Sequence, residues 1–333
     1  MPAQPGGVPR GAWQRRAREP RESHLWGAFR IRRGVARRRE VIGPFFYPRR
    51  RPPARERRSP RWERLTKGSL GWLVERLTAP FNRWDHARLL TPEVPVPVRR
   101  LAPELVDYRI ALVTDLHHGP AVPERWLAYV ARRVAELSPD LVVLGGDFVS
   151  HARSDLDGLD GVIAQFAARD GVVAVLGNHD HWVDPDAVAA LVQRGGATLL
   201  TNRHVQIRRG VGALLAIAGV DDFTHGAVRL DEAFAGIAPD VPRLLASHKP
   251  DLIEYLPAGL RVDVMLSGHT HNGQAQLPLI GPVTVPSQFG GRYLHGLKHV
   301  GDTWLYVSAG VGTAAIPRWR NPPELPVIRL VSD

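Results

Sequence analysis

Three short apolar stretches decide the fold of this chain: YRIALVTD at residues 108–115, DLVVLGGD at 140–147 and GVVAVLG at 171–177. Each is rich in valine and leucine and runs without interruption into a glycine or an aspartate. Continuous apolar runs of this length are typical of strands that are buried on both faces, as in parallel sheets. The sequence therefore predicts three neighbouring buried strands.

Helical periodicity fills the spaces between these strands. Residues 124–137 place apolar side chains at helical spacing, and further helices are predicted near 156–168 and 185–194. After residue 197 the predicted strands come faster, at 198–201, 213–220, 243–247, 263–267, 282–285, 303–308 and 325–331. This order predicts an α/β fold in which two sheets are sandwiched between helices.

Charge divides the chain into two parts. The 333 residues carry a formal net charge of +11. Residues 1–100 have a net charge of +17, and residues 101–333 have a net charge of −6. An acidic body disfavours nucleic acid as its partner, because phosphate contacts need clustered lysine and arginine. The chain has no cysteine, which excludes disulfide scaffolds and thiolate metal sites. It also has no apolar run near the roughly 20 residues that a membrane-spanning helix needs.

Residues 1–66 alternate arginine runs with proline and glycine, which predicts a basic disordered arm. A twin-arginine export signal is a second interpretation, since arginines precede the apolar stretch 41–47. That stretch is short and is broken by Pro44, so it makes a poor signal peptide. The expected location is therefore cytoplasmic, with peripheral membrane association and export as the alternatives.

Residues 67–100 are predicted to form an amphipathic helix and an extended, proline-spaced linker before a domain at 101–333. Within 69–84, one helical face carries Leu70, Leu73, Val74, Leu77 and Phe81. Basic residues flank this segment, so residues 61–90 could lie in the interface of an anionic membrane. The alternative is that the helix braces the body by packing against it.

Polar side chains follow five of the predicted strands, at the point where each strand ends. The fragments are Asp115-Leu116-His117, Gly146-Asp147, Gly177-Asn178-His179-Asp180, His248, and Gly268-His269-Thr270-His271. Each fragment alone is common in proteins that bind no metal. Because ligand sites in α/β sheets gather at the carboxyl ends of strands, five such loops in order predict one shared site.

In these motifs the sequence resembles the calcineurin-like metallophosphoesterase superfamily, whose pattern is D-x-H, G-D, G-N-H-D/E, a lone H and G-H-x-H. The resemblance spans residues 108–331. Two further stretches, SGHTHNGQ at 267–274 and PRWRNPPE at 317–324, are similar to the YkuE/YaeI-like branch of phosphodiesterases. The resemblance implies a calcineurin-like four-layer α/β/β/α sandwich with two mixed sheets.

The resemblance also implies a site with two divalent metal ions, which would activate water and neutralise phosphate charge. Oxygen and imidazole ligands suit manganese, the expected metal, with iron or zinc as alternatives. By this likeness, Asp115, His117 and His271 hold one ion, Asn178, His248 and His269 hold the other, and Asp147 bridges both. The resemblance also implies that a hydroxide bridging the two ions would attack phosphorus in line, and that His179 is the catalytic residue, which stabilises the transition state or protonates the leaving oxygen.

Two positions depart from the family pattern. Many members carry an acidic residue three positions after the bridging aspartate, where it orients the catalytic histidine, and this chain has Ser150 there. The branch usually has glycine where Asn272 stands. His118 and His181, which adjoin predicted ligands, are interpreted as bystanders, and Asp221 and Asp222 are left outside the predicted site.

The predicted function is a phosphodiesterase that hydrolyses a phosphodiester or pyrophosphate, with a lipid or envelope precursor as one candidate substrate. One alternative is a nuclease of the same fold, which the acidic body disfavours. The other is a noncatalytic scaffold, which tends to lose metal ligands, whereas all of them are present here. The sequence leaves the natural substrate and the oligomeric state open.

Overall fold

The computed structural model describes residues 68–333 except residue 315. The predicted disordered arm at 1–66 lies outside the described residues, as does any export signal within it. In the described part, helices span α1 Gly68–Thr78, α2 Glu124–Leu137, α3 Leu159–Ile163, α4 Asn178–Val183, α5 Pro185–Arg194 and α6 Leu230–Ala233. Strands span β1 Glu93–Val98, β2 Arg109–Val113, β3 Leu141–Leu144, β4 Val172–Ala174, β5 Thr198–Leu199, β6 Arg203–Arg209, β7 Ala213–Gly219, β8 Arg243–Ala246, β9 Val264–Ser267, β10 Gln276–Leu277, β11 Gly281–Pro282, β12 Gly296–Val300, β13 Thr303–Val307 and β14 Val327–Ser332.

Two six-stranded sheets form the centre of the fold. The first has the order β1-β14-β2-β3-β4-β5 and the second β12-β13-β9-β8-β7-β6. Strands β2 to β5 run parallel to one another, as do β7, β8, β9 and β13. Antiparallel pairs, β14 with β2, β12 with β13 and β6 with β7, make both sheets mixed. The predicted α/β fold with two mixed sheets is confirmed.

Three separate apolar clusters define four layers. Alternate side chains of β2 point to opposite faces of the first sheet, so Ala111 and Val113 pack with Trp126 and other helical residues. Ile110 and Leu112 on the other face pack against strands of the second sheet. The outer face of the second sheet packs against α6 and the 3₁₀ helix Pro250–Tyr255. Because both faces of both sheets are covered, the central strands are apolar throughout.

The predicted linker at 92–103 is wrong in one respect. Glu93–Val98 is not free but forms β1, which pairs in parallel with β14 at the edge of the first sheet. Prolines fit there because an edge strand leaves half of its N–H groups without sheet partners. The sheet therefore extends upstream of residue 101, where the sequence predicted that the domain would begin.

Edge elements account for the other differences. The sequence did not predict β6 or β12, whose partly exposed side chains mix polar with apolar residues, so neither produces an apolar run. The strand predicted at 282–285 is instead the two-residue β11, paired with β10 in a small hairpin. The helix expected near 156–168 is limited to Leu159–Ile163.

Helix α1 packs against the body with its polar side. Glu75 is fully buried, whereas Leu70, Leu73 and Leu77 on the opposite side are exposed, and Phe81 beyond the helix is 72% exposed. This orientation reverses what amphipathic helices usually do in globular proteins. The predicted apolar face is present, and nothing in the described part of the chain covers it.

Candidate active site

The carboxyl ends of the central strands of the two sheets meet, and the predicted site residues lie in the loops that leave them. Asp115 and His117 follow β2, Asp147 follows β3, and Asn178 and His179 begin α4 after β4. His248 follows β8, and His269 and His271 follow β9. All eight side chains are buried. The two sheets therefore each contribute one side of the site.

One group of possible metal ligands consists of Asp115, His117 and His271. His271 Nε2 lies 3.0 Å from His117 Nε2 and 3.3 Å from Asp115 Oδ1. Two imidazole nitrogens at this distance repel each other unless a proton or a cation lies between them. The group matches the set that the sequence predicted for one ion.

A second group consists of Asp147, His248 and His269. His248 Nε2 lies 3.0 Å from Asp147 Oδ2, and Asp147 also lies 3.8 Å from His117 Nε2. His248 Nδ1 donates to the carbonyl oxygen of Gly145, which directs Nε2 toward the site. Asp147 is thus the carboxylate between the two groups.

The backbone at these ligands is unusual. Asp115, His117, Asp147, His269 and His271 all have positive φ, between 48° and 71°. Left-handed backbone costs a residue with a side chain about 1–3 kcal/mol and tends to occur at functional sites. The turns bring each side chain back across the end of its own strand.

Two glycines of the motifs allow the loops to pack closely. A Cβ on Gly177 would lie 2.2 Å from Asp147 Oδ1, and one on Gly268 would lie 2.3 Å from Asp115 Oδ2. Both contacts are too short for any side chain. The glycines of the G-N-H-D and G-H-x-H motifs therefore make room for the two carboxylates.

Burial and charge set the protonation of the ligands. Burial lowers the pKa of His117, His269 and His271 well below the ordinary value, so these imidazoles are neutral, as metal ligands must be. Burial alone would raise the pKa of Asp147, but the charges of His248 and His179 hold it well below its usual range. Burial would lower the pKa of His248, but Asp147 raises it to about 10.

His179 lies against the metal-ligand groups and is oriented by Ser150. Its Nδ1 donates to the backbone carbonyl oxygen of Ser150. Because a carbonyl can only accept, this bond places the proton on Nδ1. Its ring also packs on Trp182, with centroids 4.2 Å apart. The acidic residue that is absent at position 150 is thus replaced by a main-chain acceptor at the same position.

Asp180 is a site residue that the sequence analysis left without a role. Its carboxylate accepts hydrogen bonds from the backbone N–H groups of Asp147, Phe148, Val149 and Gly177 at 2.8–3.3 Å. It ties the β3 loop to the start of α4 and so holds Asp147 beside Asn178. The aspartate of the G-N-H-D motif is the sequence feature that could have indicated this role.

The C-terminal motif braces the His271 loop. Arg318 donates to the carbonyls of Gly312 and Gly310 and approaches His271 Nδ1 at 3.3 Å. Asn321 donates to the carbonyl of His271. Asn272 has φ 48°, a left-handed conformation that glycine adopts readily and asparagine tolerates, which explains how it stands where glycine is usual.

The four residues set aside by the sequence analysis lie in none of the ligand groups. His118 Nδ1 bonds to the carbonyl oxygen of Asp155 at 2.7 Å. His181 pairs with Asp221 at 2.8 Å, and Asp222 accepts from the backbone N–H groups of the turn at Thr224 and His225. Their interpretation as bystanders stays a prediction.

A cleft opens over the ligand groups. His179, His269 and His271 line it, and although several other lining residues are polar, its accessible surface is largely apolar, with contributions from Trp182, Pro286, Ala314 and Ile316. His151, which the sequence analysis did not single out, also lines it. Such a cleft fits a substrate that has an apolar part beside its charged group.

The donor set fits divalent cations. Asn178 Oδ1 is buried and has no hydrogen-bond partner among the described residues. A buried polar atom without a partner is costly, and coordination to a cation removes that cost. Carboxylate, amide and imidazole ligands without thiolate suit manganese, iron or zinc.

Comparison with known proteins identifies the family. Residues 108–273 match Calcineurin-like phosphoesterase, and the chain belongs to this family. It is 28% identical to the "Uncharacterized metallophosphoesterase YkuE" of Bacillus subtilis, over 80% of this chain and 96% of that protein. It is 29% identical to "Phosphodiesterase YaeI" of Escherichia coli, over 67% and 82%.

A third relative is the "UDP-2,3-diacylglucosamine pyrophosphatase LpxG" of Chlamydia trachomatis, 27% identical over 81% of this chain and 99% of that protein. The chain spans only 53% to 65% of the length of relatives that are 30–32% identical. No helix in the described part of the chain is long and apolar enough to cross a membrane.

Proposed function

We propose that this protein is a phosphodiesterase that holds two divalent metal ions, with manganese as the expected metal. The observation that supports this most is the position of Asp147 between the two ligand groups, with Oδ2 3.0 Å from His248 Nε2 of one group and 3.8 Å from His117 Nε2 of the other. Asp115, His117 and His271 would hold one ion, and Asn178, His248 and His269 the other. Bound there, the ions would supply a nucleophile at neutral pH and neutralise the charge of the phosphate.

The protein's own residues have separate tasks in this proposal. With a proton on each ring nitrogen, His179 would donate the Nε2 proton to the leaving oxygen, because Ser150 holds the other proton on Nδ1. Trp182, which packs on the His179 ring, limits its rotation. Asp180 keeps Asp147 in its left-handed turn through the backbone bonds described above.

We propose further that the substrate is a phosphodiester or pyrophosphate with an apolar part, presented at an anionic membrane. Nine of the twelve large apolar side chains that are exposed in the described residues lie in two patches. One patch is the outer side of α1 with Phe81. The other is the hairpin 277–283 with Trp319, where Leu279 and Ile280 are more than three-quarters exposed.

The two patches adjoin each other and the cleft. The carboxamide oxygen of Asn82, next to Phe81, accepts from the backbone N–H of Arg318 at 3.4 Å. Trp319 accepts from the N–H of Gln276 at the base of the hairpin at 2.9 Å, and Ile316 lines the cleft wall. Arg76 and Arg83 would lie near lipid headgroups, each worth about 1 kcal/mol at an anionic surface.

The activity is tested by hydrolysis of bis(p-nitrophenyl) phosphate against p-nitrophenyl phosphate, using the full chain with Mn²⁺. We expect turnover of the diester, and its loss in His179→Ala while both ions still bind. Preference for the monoester would make the protein a phosphomonoesterase. Absence of turnover with both ions bound would favour a scaffold, as would a His179→Ala variant that keeps its biological role.

The membrane surface is tested by flotation with phosphatidylcholine vesicles that contain or lack phosphatidylglycerol. We expect the full chain to float with the anionic vesicles, and Leu73→Glu/Leu77→Glu to bind at least about tenfold more weakly. Val211→Glu is the matched control, since Val211 is fully exposed but lies on the β6–β7 turn, outside both patches. Equal binding by both variants would remove α1 from the proposed surface.

A further inference from the structure

We infer that Glu75, on helix α1, is a positioning residue for the catalytic histidine. This inference rests on the proposed function, because it concerns how His179 is held for proton transfer. It assigns part of the active site to a helix that lies outside the family match at 108–273.

The position of Glu75 calls for an explanation. It is a carboxylic acid with no exposed surface, on a helix whose leucines face solvent. Glu75 Oε2 is buried and has no hydrogen-bond partner among the described residues. Burying a carboxyl group with incomplete pairing is costly, and a hydrophobic residue of the same size is often more stable there. Stability alone therefore does not explain a glutamate here.

The contacts of Glu75 lead to His179. Ser150 Oγ donates to Glu75 Oε1 at 2.9 Å, and Ser150 is the residue whose carbonyl accepts from His179 Nδ1. Ser150 Oγ also lies 3.3 Å from the carbonyl oxygen of His117. The side chain that Glu75 holds thus belongs to the residue that orients the His179 ring.

A second contact of Glu75 leads to the same ring. Glu75 Oε2 lies 3.9 Å from His151 Nε2. His151 lines the cleft, and its ring centroid is 4.9 Å from that of His179. Glu75 therefore lies beside both Ser150 and His151, the two consecutive residues that contact His179.

This arrangement gives a physical role to the serine at position 150. A serine side chain is too short to take the place of an acidic side chain beside the histidine, but its hydroxyl can form a hydrogen bond with a group outside the β3 loop. The carboxyl group of Glu75 on α1 is that group, and its hydrogen bond with Ser150 keeps the Ser150 carbonyl directed at His179 Nδ1. Docking of α1 and alignment of the catalytic histidine are thereby linked.

Two variants of equal size test the inference in the full-length protein with Mn²⁺ and bis(p-nitrophenyl) phosphate. Glu75→Leu fills the same volume but offers Ser150 no acceptor, and we expect kcat to fall about tenfold or more with KM and Mn²⁺ stoichiometry unchanged. Glu75→Gln keeps an acceptor oxygen for Ser150, and we expect it to retain most of the wild-type kcat. Ser150→Ala should lower kcat as Glu75→Leu does, and the double variant should be no worse than either.

Controls separate positioning from stability. Val211→Ala changes an exposed side chain on the β6–β7 turn, outside both patches and the cleft, and should leave kcat unchanged. A purely structural Glu75 would lower the melting temperature of Glu75→Leu and leave kcat intact in the folded fraction, which would overturn the inference. Equal loss of kcat in Glu75→Leu and Glu75→Gln would also overturn it.

A measurement without substrate keeps this inference separate from the proposed function. Nitrogen-15 NMR of the labelled histidines reports which nitrogen of His179 carries the proton. We expect a Nδ1–H signal in the wild type and in Glu75→Gln that weakens or broadens in Glu75→Leu. If the wild type hydrolyses neither ester, the proposed function fails, but the NMR comparison still decides whether Glu75 orients His179.

Discussion

The two ends of the parallel strands both carry carboxylates, but in different surroundings. At the amino ends, Asp263 accepts from the backbone N–H of Arg243 at 2.8 Å and from Arg261 Nε at 2.9 Å. Asp140 similarly accepts from the N–H of Arg109 and pairs with Arg209. At the carboxyl ends, Asp115 and Asp147 face imidazole nitrogens at 3.0–3.8 Å.

This difference separates two uses of a buried charge. An aspartate paired with arginine has its compensating charge within the protein, so the pair contributes to stability near neutral pH without any added ion. Asp115 and Asp147 face His248, whose pKa Asp147 raises, together with imidazoles that burial keeps neutral, so their two negative charges are incompletely compensated. The closely spaced nitrogens add repulsion. A cation from solution would compensate the remaining negative charge at the carboxyl end, whereas the aspartates at the amino end are already paired with arginine. The following predictions test that contrast.

The largest effect is expected from Asp147→Asn at the carboxyl end. Loss of the Asp147 charge should lower diester turnover by about 10³-fold or more, since this carboxylate lies between the two ligand groups, 3.0 Å from His248 Nε2 and 3.8 Å from His117 Nε2. Isothermal titration with Mn²⁺ should show weaker binding and fewer bound ions. A variant that keeps both its ions and its turnover would contradict the role assigned to Asp147.

The second effect is expected from metal removal. A cation that binds only the folded state at about 100 times its Kd adds about 2.7 kcal/mol, which corresponds to a melting-temperature shift of roughly 5–10 °C. Differential scanning calorimetry before and after EDTA should show this loss, and added Mn²⁺ should restore it. Asp147→Asn is the matched control and should respond much less to EDTA.

The third effect is expected from Asp263→Asn at the amino end. It removes the charge from two hydrogen bonds, so the free energy of unfolding should fall by about 1–3 kcal/mol. Turnover and Mn²⁺ binding should stay at wild-type values, because Asp263 precedes β9 and the site follows it. If turnover falls while the melting temperature stays constant, the proposed division between the two ends is wrong.

The smallest effect is a pH dependence of stability that arises from Glu75. Burial raises the pKa of Glu75 from 4.5 to about 8, with Ser150 lowering it and Asp155 raising it by smaller amounts. The unfolded chain therefore loses this proton at lower pH than the folded protein, so the contribution is present below about pH 4.5 and is lost as pH rises toward 8.

Comparison with Glu75→Gln isolates this contribution, because glutamine does not titrate and the metal ligands are the same in both proteins. We expect the melting temperature of the wild type, relative to Glu75→Gln, to fall by a few degrees between pH 5.5 and pH 8.5, values chosen to span the shift. A constant difference across this range would show that Glu75 does not change its charge on unfolding in this interval.

Much of the fold could be predicted because the central strands and α2 are simple patterns. Residues 108–115, 140–147 and 171–177 are buried on both faces, so burial alone makes them apolar throughout. Strands β6 and β12 were missed because edge strands exposed to water carry polar side chains. β1 was interpreted as a linker because its prolines conceal its pairing with β14.

The site residues could be named from sequence because each follows a strand directly, and the structure brings all eight together. Their roles as ligands and catalyst stay predictions for the experiments above. Asp180, Trp182 and His151 could not be assigned in the same way, since their importance depends on neighbours from other loops.

The sequence by itself determined which side chains stand at the ends of the strands, because strand order and residue type are local properties of the chain. Only the tertiary structure decided how those side chains are supported. Ser150 orients His179 through its main chain, which no residue type reveals. Glu75 stands opposite the apolar face of α1 and yet lies fully buried, because contact with the body across 75 residues of chain outweighs the periodicity of one helix.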